Sequence, residues 1–188
     1  MGQIEHFRFE KTSIDGLTVI HPFIAYDERG FFMKTYEKNI FMENGIDLQN
    51  AEDMTSMSHK GVLRGLHFQT QHSQDKLIRV LQGEVWDIAV DLRRDSETYG
   101  KWEGFTLSAE NHIGLYIPAG FAHGFLTLSD TAVFSYRCGQ FYEPGYDTGI
   151  RWNDPDLRVA WPVEITNQLI ISEKDQALPY FAEREITL

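Results

Sequence analysis

The sequence predicts an all-β protein, a sandwich, barrel or jelly roll with a few short helices. Three observations predict it. Short apolar segments recur at intervals of roughly 8–12 residues with turn residues between them, the spacing of antiparallel β architectures. Helical patterning is confined to one stretch, Glu37 to Asn44, ended by Gly45. Two strand-like segments far apart in sequence, Lys60–Gln69 and Ile117–Leu126, each hold an isolated histidine, His67 and His123, among apolar residues. A buried polar group must be satisfied, so these histidines point to a pocket inside a sheet rather than to a surface feature.

The elements follow in order. Lys60–Gln69 reads as a strand carrying Arg64, His67 and Gln69. Leu77–Leu81 and Val85–Leu92 flank Gln82-Gly83-Glu84 and read as a hairpin. In its second strand Trp86, Ile88, Val90 and Leu92 lie on one face, and Val85, Asp87, Ala89 and Asp91 on the other. Phe105–Leu107, Gly114–Ile117, Phe125–Leu128 and Ala132–Tyr136 continue the series. A short turn is expected near Ser172–Gln176, and the C-terminal third, rich in Pro, Asp, Asn and Trp, reads as irregular cover over the β core.

The 188 residues fit one domain with its own core, expected to span 1–188. The single cysteine, Cys138, allows no intrachain disulfide. No apolar run approaches a membrane span, and Met1 to Glu10 lacks the apolar stretch of a signal peptide; a cytoplasmic protein is expected. A formal charge of −11 argues against nucleic acid as a partner. An anionic small molecule would need a local basic cluster set against that field.

Candidate chemistry centres on His67, with Arg64 and Lys76 near it in sequence. A histidine beside two cations has a reason to stay neutral, as a general base must. The bland alternative is a satisfied core residue. Tyr136 and Tyr142 flank Cys138 and read either as packing or as a proton donor and a stacking platform. Asp175, in Ile170-Ile-Ser-Glu-Lys-Asp, reads either as part of a solvated charge run or as a carboxylate that orients a histidine. No metal site is expected, since His67 and His72 fall on opposite faces of a continuous strand. No glycine-rich loop opens a helix, which removes dinucleotide and P-loop readings.

Several segments together are similar to one family: 61–69 (GVLRGLHFQ), Lys76, 83–93 (GEVWDIAVDLR), 118–125 (PAGFAHGF), Tyr136-x-Cys138, 149–155 (GIRWNDP) and 171–175 (ISEKD). They resemble the dTDP-4-dehydrorhamnose 3,5-epimerases, cupins of the RmlC type, from about Phe7 to Asp175. The resemblance implies a cupin jelly-roll barrel (a double-stranded β-helix). It implies a homodimer in which an N-terminal arm, about 1–60, is shared with the partner, and a C-terminal cover over about 145–188. It implies a cofactor-independent epimerase of a nucleoside-diphosphate 4-keto-6-deoxy sugar. By resemblance His67 is the base with Asp175 as its partner, Lys76 stabilises the enolate, and Tyr136 is the proton donor. Arg64 and His123 match the diphosphate site, Arg29, Asp147 and Lys174 further substrate contacts, and Tyr142 the ring that stacks on the base.

The nucleotide end departs from the family pattern. Lys34 stands where the family usually has Glu, and Glu52 and Met54 where it usually has Gln and Asn. One reading is neutral drift with a compensating Lys34–Glu52 ion pair; the other is a changed nucleotide or sugar. Single epimerisation at C3 or C5, a ketoisomerase and a non-catalytic sugar-nucleotide binder are the remaining alternatives.

Overall fold

The computed structural model of the chain describes residues 4–183. Its strands are β1 (Ile4–Glu5), β2 (Arg8–Lys11), β3 (Thr18–His21), β4 (Phe23–Asp27), β5 (Gly30–Lys34), β6 (Glu52–His59) and β7 (Leu63–Gln69). They continue as β8 (Lys76–Gln82), β9 (Glu84–Asp91), β10 (Trp102–Ser108), β11 (Gly114–Ile117), β12 (Phe121–Thr127), β13 (Thr131–Cys138) and β14 (Asp147–Gly149). Two short helices, α1 (Lys38–Glu43) and α2 (Glu173–Gln176), complete the set with two 3-10 turns. A six-stranded sheet, β2-β3-β11-β8-β13-β6, and a five-stranded sheet, β10-β9-β12-β7-β14, form the body; β1-β4-β5 makes a small third sheet. All ladder pairings are antiparallel. The all-β expectation and its jelly-roll form are met.

The β8–β9 hairpin shows why the pattern folds this way. Gly83 takes φ +76°, and a Cβ there would lie 2.1 Å from the Thr131 carbonyl oxygen, so only glycine fits the turn. Both faces of β9 are buried, as its sequence requires. Val85 and Ala89 enter the core between the two large sheets, with Ile78, Phe125 and Phe134. There the rings of Phe125 and Phe134 stack at 4.6 Å, a contact worth roughly 0.5–1.5 kcal/mol beyond the area it buries. Ile88, Val90 and Leu92 face the other way, into a second core.

That second core is closed by the C-terminal segment. Ile150, Leu157 and Trp161 pack on Leu66 and Leu126 from outside the five-stranded sheet. Indole N–H groups of Trp86, Trp102 and Trp161 donate to the carbonyls of Ala160, Leu157 and Trp152 at 3.0, 2.9 and 2.8 Å. An irregular segment lacks ladder partners for its carbonyls, and these donors supply them. The expected cover is thus a second core wall.

α1 is where the sequence placed it. Glu37 is its N-cap, Asn44 its C-cap, and Gly45 follows at φ +82°. Its one buried residue, Phe41, packs with Ile20, Ile46 and Leu48 on the outer face of the six-stranded sheet. Within the stretch expected to be shared with a partner, about residues 1–60, β2, β3 and β6 belong to this chain's main sheet, and β6 pairs with β13 along its whole length. Only the β1-β4-β5 sheet stands apart. β6 finds its partner some 80 residues further along the chain, beyond the reach of local sequence patterns.

Candidate active site

An open cleft of about 380 Å³ lies between the two large sheets, within the range of small-ligand sites. Its two walls come from different sheets. β6 alternates strictly, turning Glu52, Met54, Ser56 and Ser58 inward. Met54, Ser56, Lys76 and Tyr136 line the cleft from the six-stranded sheet, and Arg64, His67 and His123 from the five-stranded one.

Arg64 and His67 share the cleft although three residues separate them in one strand. A regular strand would send them to opposite faces. The ladder between β7 and β12 pairs His67 with His123 but Arg64 with Phe125, so β7 carries one extra residue between two pairs. This is a β-bulge, and it re-aims a side chain. Gly65 sits inside it at φ +122°, and a Cβ there would meet Gly124 Cα at 2.6 Å. The glycine between Arg64 and Leu66 was the available signal for the bulge, and sequence reasoning did not use it.

The bulge also builds the first polar pair. Gly65 N–H, turned away from the ladder, donates to Asp175 Oδ2 at 3.2 Å. The other oxygen, Oδ1, meets His67 Nε2 at 2.8 Å. Asp175 sits in α2, where Ser172 Oγ accepts from Asp175 N–H at 3.0 Å and caps the helix. Asp175 is 4% exposed, so the solvated-charge-run reading fails. Burial alone would raise its carboxyl, but the hydrogen bond and charge of His67 outweigh it and hold the group below its ordinary range. The ionised Asp175 accepts a hydrogen bond from His67 Nε2–H, which leaves Nδ1 as the nitrogen able to accept a proton.

Across the cleft, Tyr136 OH lies 3.3 Å from Ser56 Oγ. Burial raises its phenol well above the usual range, so it remains a donor. Lys76 is pulled the other way: burial lowers its ammonium, while Cys138, Asp147 and Asp87 oppose the shift. Arg64 is held by Ser58 Oγ at 3.1 Å. At the mouth Tyr142 OH donates to Asp147 Oδ2 at 2.8 Å, and Lys174 Nζ pairs with the same oxygen. The structure therefore joins His67, Asp175, Lys76, Tyr136, Arg64, His123, Tyr142, Asp147, Lys174 and Met54 at one place.

Two expected residues, Arg29 and Lys34, stand elsewhere, and Glu52 meets the cleft only through its wall residues Gln74 and Tyr142. Arg29 is 82% exposed at the β4–β5 turn and pairs with Asp27. Lys34 pairs with Glu37 at 2.7 Å, not with Glu52, so the compensating ion pair is absent within the chain; Lys34 closes the β4–β5 hairpin, whereas Glu52 opens β6. Glu52 Oε1 instead accepts from Tyr142 N–H at 2.8 Å and Gln74 Nε2 at 3.2 Å. Sequence reasoning missed one residue altogether. Asp87 is fully buried and meets His123 Nε2 at 2.8 Å through Oδ2. A carboxylate set between Val85 and Ala89 on one strand face was as anomalous as a histidine among apolar residues, and the same argument applied to it. Among the described residues, no group of three or more His, Cys, Asp or Glu side chains is placed to hold a metal ion. No described helix is long and apolar enough to cross a membrane.

Comparison with known proteins decides the family. The family model for dTDP-4-dehydrorhamnose 3,5-epimerase matches residues 11–183. The chain belongs to the dTDP-4-dehydrorhamnose 3,5-epimerase family. It is 54% identical to the dTDP-4-dehydrorhamnose 3,5-epimerase of Methanothermobacter thermautotrophicus over 170 residues, 90% of this chain and 92% of that protein. The crystal structure of the Elizabethkingia anophelis dTDP-4-dehydrorhamnose 3,5-epimerase superposes with a TM-score of 0.89 at 45% identity, covering 96% of this chain and 99% of that one. A Legionella pneumophila epimerase solved in complex with dTDP-4-keto-L-rhamnose matches equally well, with a TM-score of 0.89, 45% identity and 93% coverage of both chains. The resemblance carried by the sequence motifs thus extends to the family and the fold.

Proposed function

We propose that this epimerase inverts the carbons on either side of the C4 ketone of a dTDP-linked 4-keto-6-deoxy sugar. One observation carries the reading: the His67–Asp175 pair stands on one wall of the cleft, and Lys76 and Tyr136 on the other. Inversion needs a proton taken from one face of a carbon and returned to the other. The ketone acidifies the adjacent C–H bonds. His67 Nδ1 accepts the proton, Asp175 stabilises the resulting imidazolium, and the C–H electron pair moves to the carbonyl oxygen as an enolate. The Lys76 ammonium stabilises that oxygen. Tyr136 gives its phenolic proton to the carbon from the opposite wall, and solvent reprotonates the phenolate and takes up the imidazolium proton before the next cycle. These side chains and solvent account for every proton, and no cofactor is needed. Arg64, His123 and Lys174 supply the local basic cluster that a diphosphate requires in an acidic body.

We infer further that the enzyme is a homodimer whose sites are shared. Arg29 and Lys34, both matched to substrate contacts, lie on the β4–β5 hairpin and do not line this chain's own cleft. The same hairpin exposes Phe31 and Phe32 at 53% and 66%. Both facts fit a hairpin that completes the partner's site.

Incubation with 4-keto-6-deoxy sugars linked to dTDP, CDP and GDP in deuterated water tests the reading. Label at C3 and C5 of the dTDP substrate is expected. Label at one carbon would make the enzyme a single-site epimerase, and absence of label from all three would overturn the reading.

A further inference from the structure

Residues 139–146 join β13 of the six-stranded sheet to β14 of the five-stranded one, at the cleft mouth. No described strand includes them, so their backbone polar groups need partners other than a ladder. Side chains of the cleft walls supply these. Gln69 ends β7 and is 3% exposed. Its Oε1 accepts from Glu143 N–H at 2.7 Å, and its Nε2 donates to the Phe141 carbonyl at 3.2 Å. Glu52 Oε1 accepts from Tyr142 N–H at 2.8 Å. Gln74, also buried, donates to the Gln140 carbonyl at 2.8 Å. These bonds bracket Tyr142. We propose that Gln69 is a positioning residue for nucleotide recognition: its amide clamps the backbone on both sides of Tyr142 and holds that ring at the cleft mouth, where the base stacks. The inference deepens the dTDP reading above and rests on it.

The chemistry of the amide explains why this position needs glutamine. A side-chain amide carries an acceptor oxygen and two N–H donors on one planar end. Gln69 gives its oxygen to Glu143 and its Nε2 donors to Phe141 and to the His72 carbonyl, the latter at 2.9 Å. Both donors are thus engaged within the chain. Although Gln69 lines the cleft, it acts through the loop rather than by donating to substrate. A carboxylate here would face two carbonyl oxygens with no proton to give, and an apolar side chain would release the backbone on either side of Tyr142. Tyr142 depends on that support. Its side chain is 45% exposed, and its hydroxyl is tied to Asp147. A loop already held in the bound arrangement need not be ordered when the ligand arrives, which favours binding.

Calorimetry with thymidine diphosphate on wild type, Gln69→Leu, Tyr142→Leu and the double variant tests the role. Q69L should weaken binding about tenfold, because the loop must then be ordered on binding. With the dTDP-linked sugar, KM should rise by about as much while kcat changes little. In the Y142L background Q69L should have no further effect, since the clamp no longer has a ring to hold in place. A residue needed only for the stability of the sheet would weaken both backgrounds alike. That result, or unchanged affinity in Q69L, would overturn the role of Gln69. Should Q69L fail to fold, Q69E enters the same cycle with the same expectation, as it keeps the shape and the oxygen facing Glu143 but lacks both donors. Thymidine diphosphate that fails to bind wild type, or binds Y142L as tightly as wild type, would overturn the nucleotide placement and this inference with it. Binding that Y142L weakens and Q69L leaves unchanged would overturn the inference alone.

Discussion

Two histidine–carboxylate pairs stand in adjacent strands of one cleft, and they differ in access. His123 and Asp87 are 5% and 0% exposed, both within the sheet. His67 and Asp175 are 32% and 5% exposed, and the carboxylate comes from the C-terminal cover. The buried pair is locked by packing and by its partner strands. The open pair meets the cleft with a histidine nitrogen to spare. The same two side-chain types therefore serve two purposes: a fixed charge arrangement deep in the sheet, and a proton acceptor at its surface. Burial decides which is which, because a group that must exchange protons with substrate needs a path to it.

The largest expected effect tests the orientation of the open pair. D175N should lower turnover about 10²- to 10⁴-fold while binding changes little, since an amide at this position no longer holds the His67 tautomer or stabilises its cation. Steady-state kcat and KM measured separately check this; a loss confined to KM would recast Asp175 as a structural residue.

Next in size is the acid on the facing wall. Y136F should slow net inversion about 10²-fold while solvent exchange at the substrate carbon continues, because only the returning proton is removed. Comparing deuterium wash-in with product formation on the same samples separates the two steps. Equal exchange and inversion in Y136F would make Tyr136 a packing residue.

Acid stability provides a third contrast. The Asp175 carboxyl is lowered from 3.8 in the fold, so its contribution is fully present above that value and is lost as pH falls through the lower, folded one. Asp87 is raised, so it takes up its proton at higher pH in the folded state and stabilises none of the neutral range by ionising. D175N should accordingly flatten the loss of stability below about pH 4, whereas D87N should leave that limb in place. Urea midpoints at a series of pH values measure both slopes.

The smallest effect concerns the nucleotide end. The triple change Lys34→Glu, Glu52→Gln, Met54→Asn should tighten thymidine diphosphate about tenfold, the equivalent of one recovered polar contact. Calorimetry against thymidine, cytidine and guanosine diphosphates reads it; unchanged affinity would assign the three residues to drift.

How much of this was legible in the sequence follows from the range of each interaction. β8, β9, β11 and α1 were read to within a residue or two, because alternation, Gly83 and Gly45 are local signals. Arg64, His67 and Lys76 were found because charged groups in apolar strands must be satisfied. Asp175 was visible only through resemblance, since its partner lies 108 positions away and its own surroundings read as a charge run. Asp87 was overlooked although it obeyed the rule that exposed His67. The bulge at Gly65 and the pairing of β6 with β13 are tertiary facts, and no period in the chain encodes them.

The central claim is that the open pair moves the proton and the buried pair does not. Solvent deuterium incorporation at C3 and C5, measured side by side in H67N and H123N at saturating substrate, tests it most directly. H67N should incorporate no label, while H123N should still incorporate it with a raised KM. Continued wash-in by H67N at near wild-type rate, or its loss in H123N alone, would contradict the account.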